Sequence, residues 1–168
     1  MLEERGFESL WVTEHSHIPL ARRFNVPASG EFERHYYDVM DRVVTLSAAA
    51  ASTRRLKLAT WVCLAIQRDS IQRAKLVASL DQVSDGRFIF GIGGRWNAEK
   101  MEDHGTVYAT RFKKLRERIE AMKEIWTREK LEYQGDIIDF PQKMTWPKPA
   151  RNRTRLSLAA PSATPPEP

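Results

Sequence analysis

Apolar residues in this chain fall into short solid runs separated by stretches with a helical period. Residues 7–13 carry Leu10, Trp11 and Val12 at their centre, a pattern that suits a strand buried on both faces. Residues 56–64 predict a second buried strand and residues 87–92 a third. Between them, Asp41 can cap a helix running to Ala51. Asp69 or Ser70 caps another, with Ile71, Ala74, Val77 and Ala78 on one face. Asp85-Gly86 marks the turn into the third strand. Thr110 opens the most regular helix, which gathers Phe112, Leu115, Ile119, Met122 and Trp126 on one face and leaves Lys, Arg and Glu on the other. Residues 2–6 read as the last turn of a helix, closed by Gly6 at its C′ position. Residues 133–140 form an extended excursion around Gly135-Asp136, and residues 14–40 an irregular stretch long enough to be a functional loop. Beyond Pro149 the periodicity stops, and a run of Arg, Ser, Ala and Pro predicts a disordered tail.

Alternation of buried strands with amphipathic helices predicts the α/β class, with a parallel sheet and right-handed crossovers. An open doubly wound sheet and a (β/α)8 barrel both satisfy that order. Three strands in 168 residues, against about 250 residues for a full barrel, favour an open sheet or a piece of a barrel. A composition of 42% hydrophobic and 29% charged residues excludes a wholly disordered chain or a fibrous rod. No apolar run approaches the roughly 18 residues that span a bilayer, and the N-terminus lacks the apolar segment of a secretory signal. Cytoplasmic residence without membrane attachment is the expectation. The lone Cys63 permits no internal disulfide and no cysteine-rich zinc site. The formal charge of +5 is concentrated in residues 143–168, which hold five basic side chains against Glu167. The body therefore offers no electrostatic footprint for nucleic acid.

In parallel α/β folds, chemistry gathers at the carboxyl ends of the strands. The first strand exits into Glu14-His15-Ser16-His17, where a carboxylate and an imidazole can hold a flavin-like ring and move protons near neutral pH. A polar loop bonded to itself explains the same residues. His15 and His17 lack an evident third metal ligand, so no metal is expected. The second strand exits into 63–69, an apolar wall with a polar end that suits a planar cofactor but reads more readily as a buried strand entering a helix cap; Cys63 there is a small buried hydrophobe rather than a reactive thiol. The third exits into the loop 91–97, whose glycines can bring backbone amides close to a phosphate. That loop lacks the Lys-Ser/Thr of a P-loop, and Trp96 stands where G-x-G-x-x-G needs its last glycine.

Together, residues 4–15 (ERGFESLWVTEH), 56–69, 80–88 (LDQVSDGRF), 91–101 (GIGGRWNAEKM) and the helix 111–126 resemble the luciferase-like monooxygenase superfamily, specifically its F420-dependent oxidoreductases. The resemblance covers residues 3 to about 149. It implies an incomplete (β/α)8 TIM barrel carrying the second to fourth strands and their helices within a domain at 1–149, followed by a non-homologous tail at 150–168. It further implies hydride transfer between coenzyme F420 and a small organic substrate. An FMN-dependent monooxygenase is the alternative enzyme. The alternative outside enzymes is a truncated, catalytically inactive fragment, or one acting by association, because unpaired sheet edges invite homo-oligomers or aggregation. In such a fragment Leu10, Val12, Leu58, Val62, Phe88 and Phe90 are expected to stay partly wet. By the same resemblance His15 sits beside the reacting ring with Glu14 as its acidic neighbour, and Cys63 and Leu64 support the ring from a strand end often distorted by a bulge. Gly91, Gly93 and Gly94 receive the cofactor phosphate, while Trp96 and Asn97 fix that loop. Arg95 departs from the small residue expected before Trp96.

Overall fold

The short apolar runs become strands of one parallel sheet, and the periodic stretches become helices that cover one of its faces. The computed structural model describes residues 2–20, 33–94 and 97–151, and the backbone of 155–158. Its elements are β1 (Ser9–Val12), α1 (Arg34–Tyr37), α2 (Arg42–Ser52), β2 (Lys57–Thr60), β3 (Cys63–Leu64), α3 (Ser70–Val83), β4 (Phe88–Gly93), α4 (Ala98–Asp103), α5 (Arg111–Thr127), β5 (Leu131–Gln134), β6 (Asp139–Lys143) and β7 (Arg155–Leu158). Two 3-10 turns, Ala65–Gln67 and Tyr108–Thr110, complete the path.

The expected second strand is interrupted. β1 pairs with β2 from Ser9↔Lys57 to Val12↔Thr60, and β2 pairs with β4 at Leu58↔Phe88 and Ala59↔Ile89. Beyond the break, β3 pairs with β4 at Cys63↔Ile92 and Leu64↔Gly93. The register slips by one residue across Thr60, Trp61 and Val62, which is a bulge, and the Trp61–Val62 peptide is cis. On its other edge β4 pairs in parallel with β7, from Ile89↔Arg155 to Ile92↔Leu158. Residues 155–158 thus run as a strand, where composition alone had predicted disorder. The backbone groups of a β4 edge offer pairing partners that no periodicity in the tail could announce. β5 and β6 form a separate antiparallel hairpin over the predicted excursion.

Helix starts follow the expected caps. Asp41 accepts from Val43 N at 2.8 Å, and Asp69 accepts from Ile71 N and Gln72 N at 3.0 and 2.9 Å. Gly6 and Gly86 take positive φ, as their turns require. Leu58, Phe88 and Phe90, expected to stay wet, are buried against the helix layer with Leu46, Ala74, Val77 and Trp126. Leu10, Val12 and Val62 are partly exposed. The opposite face carries Trp11 and Trp61, 42% and 56% exposed and packed edge to face at 5.6 Å.

Helix α5 departs from its predicted faces. Phe112 is 50% exposed, while Lys114, Glu117 and Arg118 are buried. The reason is the loops that α5 supports. Lys114 Nζ donates to the Gly105 carbonyl at 2.7 Å, Arg118 donates to the carbonyls of Ala65 (2.8 Å) and Arg68, and Glu117 accepts from the Ile137 and Ile138 amides at 2.8 and 2.9 Å. Buried charges are tolerated where each is hydrogen-bonded. Arg87 plays the same part at the opposite end, donating to the carbonyls of Ala50, Thr53, Leu56 and Ser84 and so tying the ends of α2 and α3 to β4.

Candidate active site

The three strand exits lie side by side, and one buried carboxylate joins the first two. Past β1 the chain turns Glu14 inward, where Oε2 accepts from the Leu64 amide at 2.9 Å and Oε1 pairs with Arg42 of α2. Arg68 and Arg73 stand 3.8 and 3.9 Å from the same oxygen. Arg42 and Arg73 are only 2% and 1% exposed. Glu14, singled out from sequence for its acidity beside His15, has both oxygens engaged in holding β1, β3 and two helices together.

Cys63 faces the helix layer. Arg73 Nη1 donates to its sulfur at 2.7 Å, and burial pushes the thiol well above its ordinary range. Its side chain is inaccessible, so whatever Cys63 contributes at the strand end comes from its backbone. Leu64 is likewise buried, and sits opposite Gly93 in the register.

His15 remains half-buried at the mouth. Lys100 Nζ lies 3.4 Å from its Nδ1, and the Tyr36 ring meets it edge-on at 5.9 Å. Burial, helped by the Lys100 charge, lowers its pKa to about 4, leaving a neutral imidazole at physiological pH. Lys100 was not singled out from sequence, since α4 is only six residues long and too short to show a period. The helix forms because Asn97 caps it, accepting from Lys100 N at 2.6 Å. That first turn brings Lys100 inside at 3% exposure, and burial lowers its pKa to about 8.

The glycines of the third exit have packing reasons of their own. A Cβ on Gly91 would stand 2.0 Å from the Thr60 carbonyl oxygen, one on Gly93 2.8 Å from Val62 Cγ2, and one on Gly94 3.1 Å from Leu115 Cδ2. Gly91 lets the bulged strand close on β4, where Thr60 Oγ1 also donates to the Gly91 carbonyl at 2.7 Å. Gly93 is the partly exposed one, at the end of β4 beside Leu64. Arg95 and Trp96 lie outside the described residues. Asn97 is buried as the α4 cap.

An outer hydrogen-bonded chain crosses from the β1 exit to the end of α4. His104 Nε2 meets Ser16 Oγ at 3.2 Å, Ser16 Oγ meets His17 Nδ1 at 3.0 Å, and His17 Nε2 meets Asp103 at 2.9 Å. Burial lowers the pKa of His104, assisted by His17 and Lys100. Among the described residues no group of three or more His, Cys, Asp or Glu side chains is arranged to hold a metal ion. None of the described helices is long and apolar enough to cross a membrane.

Parallel strands separated by helices, with titratable side chains gathered at the strands' carboxyl ends, are the arrangement of a segment of a (β/α)8 barrel. The chain belongs to the luciferase-like monooxygenases, whose family model matches residues 1–165. It is similar to an uncharacterized protein of Mycobacterium tuberculosis, Rv0953c, with 39% identity over 163 residues, covering 95% of this chain and 58% of that one. It is also similar to the F420-dependent glucose-6-phosphate dehydrogenase of Amycolatopsis mediterranei, at 24% identity over 88% of this chain and 41% of that protein. Among solved structures, monooxygenase RslO1 from Streptomyces bottropensis matches with a TM-score of 0.74 at 24% identity, over 92% of this chain and 42% of that one. The oxygenating constituent of 3,6-diketocamphane monooxygenase from Pseudomonas putida, in complex with FMN, matches at 0.66 and 23%, over 83% and 34%. The chain spans between about a third and three-fifths of these proteins. They share the fold of a family of oxidoreductases and monooxygenases.

Proposed function

We propose that this chain carries the cofactor end of an F420-dependent oxidoreductase that moves a hydride between the deazaflavin and a small organic substrate. The observation that carries the reading is His15, a half-buried imidazole kept neutral at the strand exits, beside the tied ends of β1 and β3. When bound, the deazaflavin supplies the hydride-carrying carbon. The residues suited to hold it are Leu64 and the backbone of Gly93 and Gly94, with Asn97 fixing the loop and Trp96 assigned by family likeness. A partly exposed glycine at the end of β4 and an apolar strand end beside it fit a flat ring better than a bulky side chain would. Neutral at physiological pH, His15 can hydrogen-bond the substrate as hydride moves. Glu14 acts as a positioning residue, and Cys63 and Gly91 act through backbone packing.

An FMN-dependent monooxygenase is the second reading, favoured by the FMN complex of the diketocamphane enzyme. Fluorescence titration of the full chain with F420 and with FMN separates the two. The expected result is micromolar binding of F420 and at least tenfold weaker binding of FMN, a difference of about 1.4 kcal/mol. Tighter FMN binding transfers the assignment to the monooxygenase, and binding of neither overturns both.

A further inference from the structure

We propose that Lys100 is the positioning residue of this site: its ammonium donates to Nδ1 of His15, fixing the imidazole as the tautomer that carries its hydrogen on Nε2. The inference rests on the reading of His15 as the reacting-side residue. An ammonium has three donors and no acceptor, so a ring nitrogen facing it must present a lone pair. The Nζ–Nδ1 separation is 3.4 Å. A neutral imidazole holds a single N–H, which then belongs to Nε2.

The placement of Lys100 is built rather than incidental. Asn97 caps α4 through the amide of Lys100 itself, so the cap fixes the backbone from which the side chain reaches inward. Lys100 is buried to 3% exposure, and a cation so deep persists only where something accepts its protons. From α1 the Tyr36 ring faces His15; from α4 Lys100 does, and its charge also reaches His104 at the helix end. Burial that lowers Lys100 to about 8 gives the lock an upper pH limit. Above it, the neutral amine can accept as well as donate, and the tautomer is no longer dictated. Below it, His15 is held as a hydrogen-bond donor of fixed direction toward an electron-rich partner, such as a substrate oxygen gaining charge.

The test is ring 15N spectroscopy of the full histidine-labelled chain, titrated from pH 4 to 10. The expected result at pH 7 is an unprotonated Nδ1 and a protonated Nε2 on His15, with a second inflection near pH 8 as Lys100 deprotonates. In Lys100→Met that inflection disappears and the His15 pKa rises by at least half a unit, about threefold in the acid constant. In Lys100→Arg the charge persists, so the inflection disappears but the Nε2–H tautomer holds to pH 10. Protonation at Nδ1 at pH 7, or a His15 signal indifferent to pH between 7 and 9, overturns the proposal. If Lys100→Met does not fold, the wild-type titration and Lys100→Arg decide alone. Failure of F420 to bind would strike the functional assignment and leave this pair untouched.

Discussion

Replacing Glu14 by glutamine keeps the size of the side chain and removes its charge. In the native chain that charge faces Arg42 directly and Arg73 at 3.9 Å, both almost wholly out of contact with water. The glutamine oxygen can still accept from the Leu64 amide, so the loss is the uncompensated guanidinium charge. Removing one partner of a buried ion pair costs about 3–5 kcal/mol, and retention of the amide contact puts Glu14→Gln near the lower figure. For a domain of this size, each kcal/mol lowers the melting temperature by about 2–4 °C. Thermal and urea unfolding should then show a midpoint at least about 6 °C lower. Arg42→Met in the same background should recover part of the loss, with a coupling above about 1 kcal/mol in the double-mutant cycle. A change below about 1 kcal/mol on Glu14→Gln, accompanied by lost turnover, would refute the structural role and return Glu14 to the reaction.

The glycines should separate by what their Cβ would meet. Gly91→Ala, aimed at a backbone oxygen 2.0 Å away, should cost more than about 3 kcal/mol, and Gly94→Ala, meeting the side chains of Leu115 at 3.1 Å and Phe112 at 3.6 Å, under about 1.5 kcal/mol; equal denaturation midpoints would contradict the packing account. His15 has a lower pKa folded than unfolded, so the unfolded chain binds more protons between about pH 4 and 6.5, and stability should fall as pH drops through that window. Melting curves of His15→Asn should show a shallower fall, and an unchanged slope would remove His15 as its source. Arg87→Met should cost about 2 kcal/mol, because three carbonyls at the ends of α2 and α3 and that of Leu56 before β2 lose a charged donor; hydrogen exchange should rise first at those helix ends.

What could be read from residues alone was mostly what is local. The caps at Asp41 and Asp69 and the turns at Gly6 and Asp85-Gly86 each depend on a few neighbouring residues, and each stands where expected. The site was legible as a set of strand exits, since any apolar run ending in polar or glycine residues marks one. The roles inside it were less so. Glu14 looked like a candidate for chemistry, yet it is tied into an ion pair, while Cys63, read as a small buried hydrophobe, lies under α3 as such. Lys100 gave no sign of itself, because a six-residue helix between a glycine loop and Gly105 has too few turns to show a period.

By itself the sequence determined the α/β order, the positions of the main strands and of the three longest helices, the caps at Asp41 and Asp69, and the family to which the chain belongs. Those follow from spacing, and spacing is a property of neighbours in the chain. Only the tertiary structure decided which charges are buried. Lys114, Glu117 and Arg118 lie on the face of α5 that meets the loops, and their value comes from backbone groups as many as 53 residues away. The same holds for the bulge that makes Gly91 obligatory and for the ammonium set against His15. Each is fixed by a partner distant in sequence, and no local pattern encodes which distant groups the fold brings together.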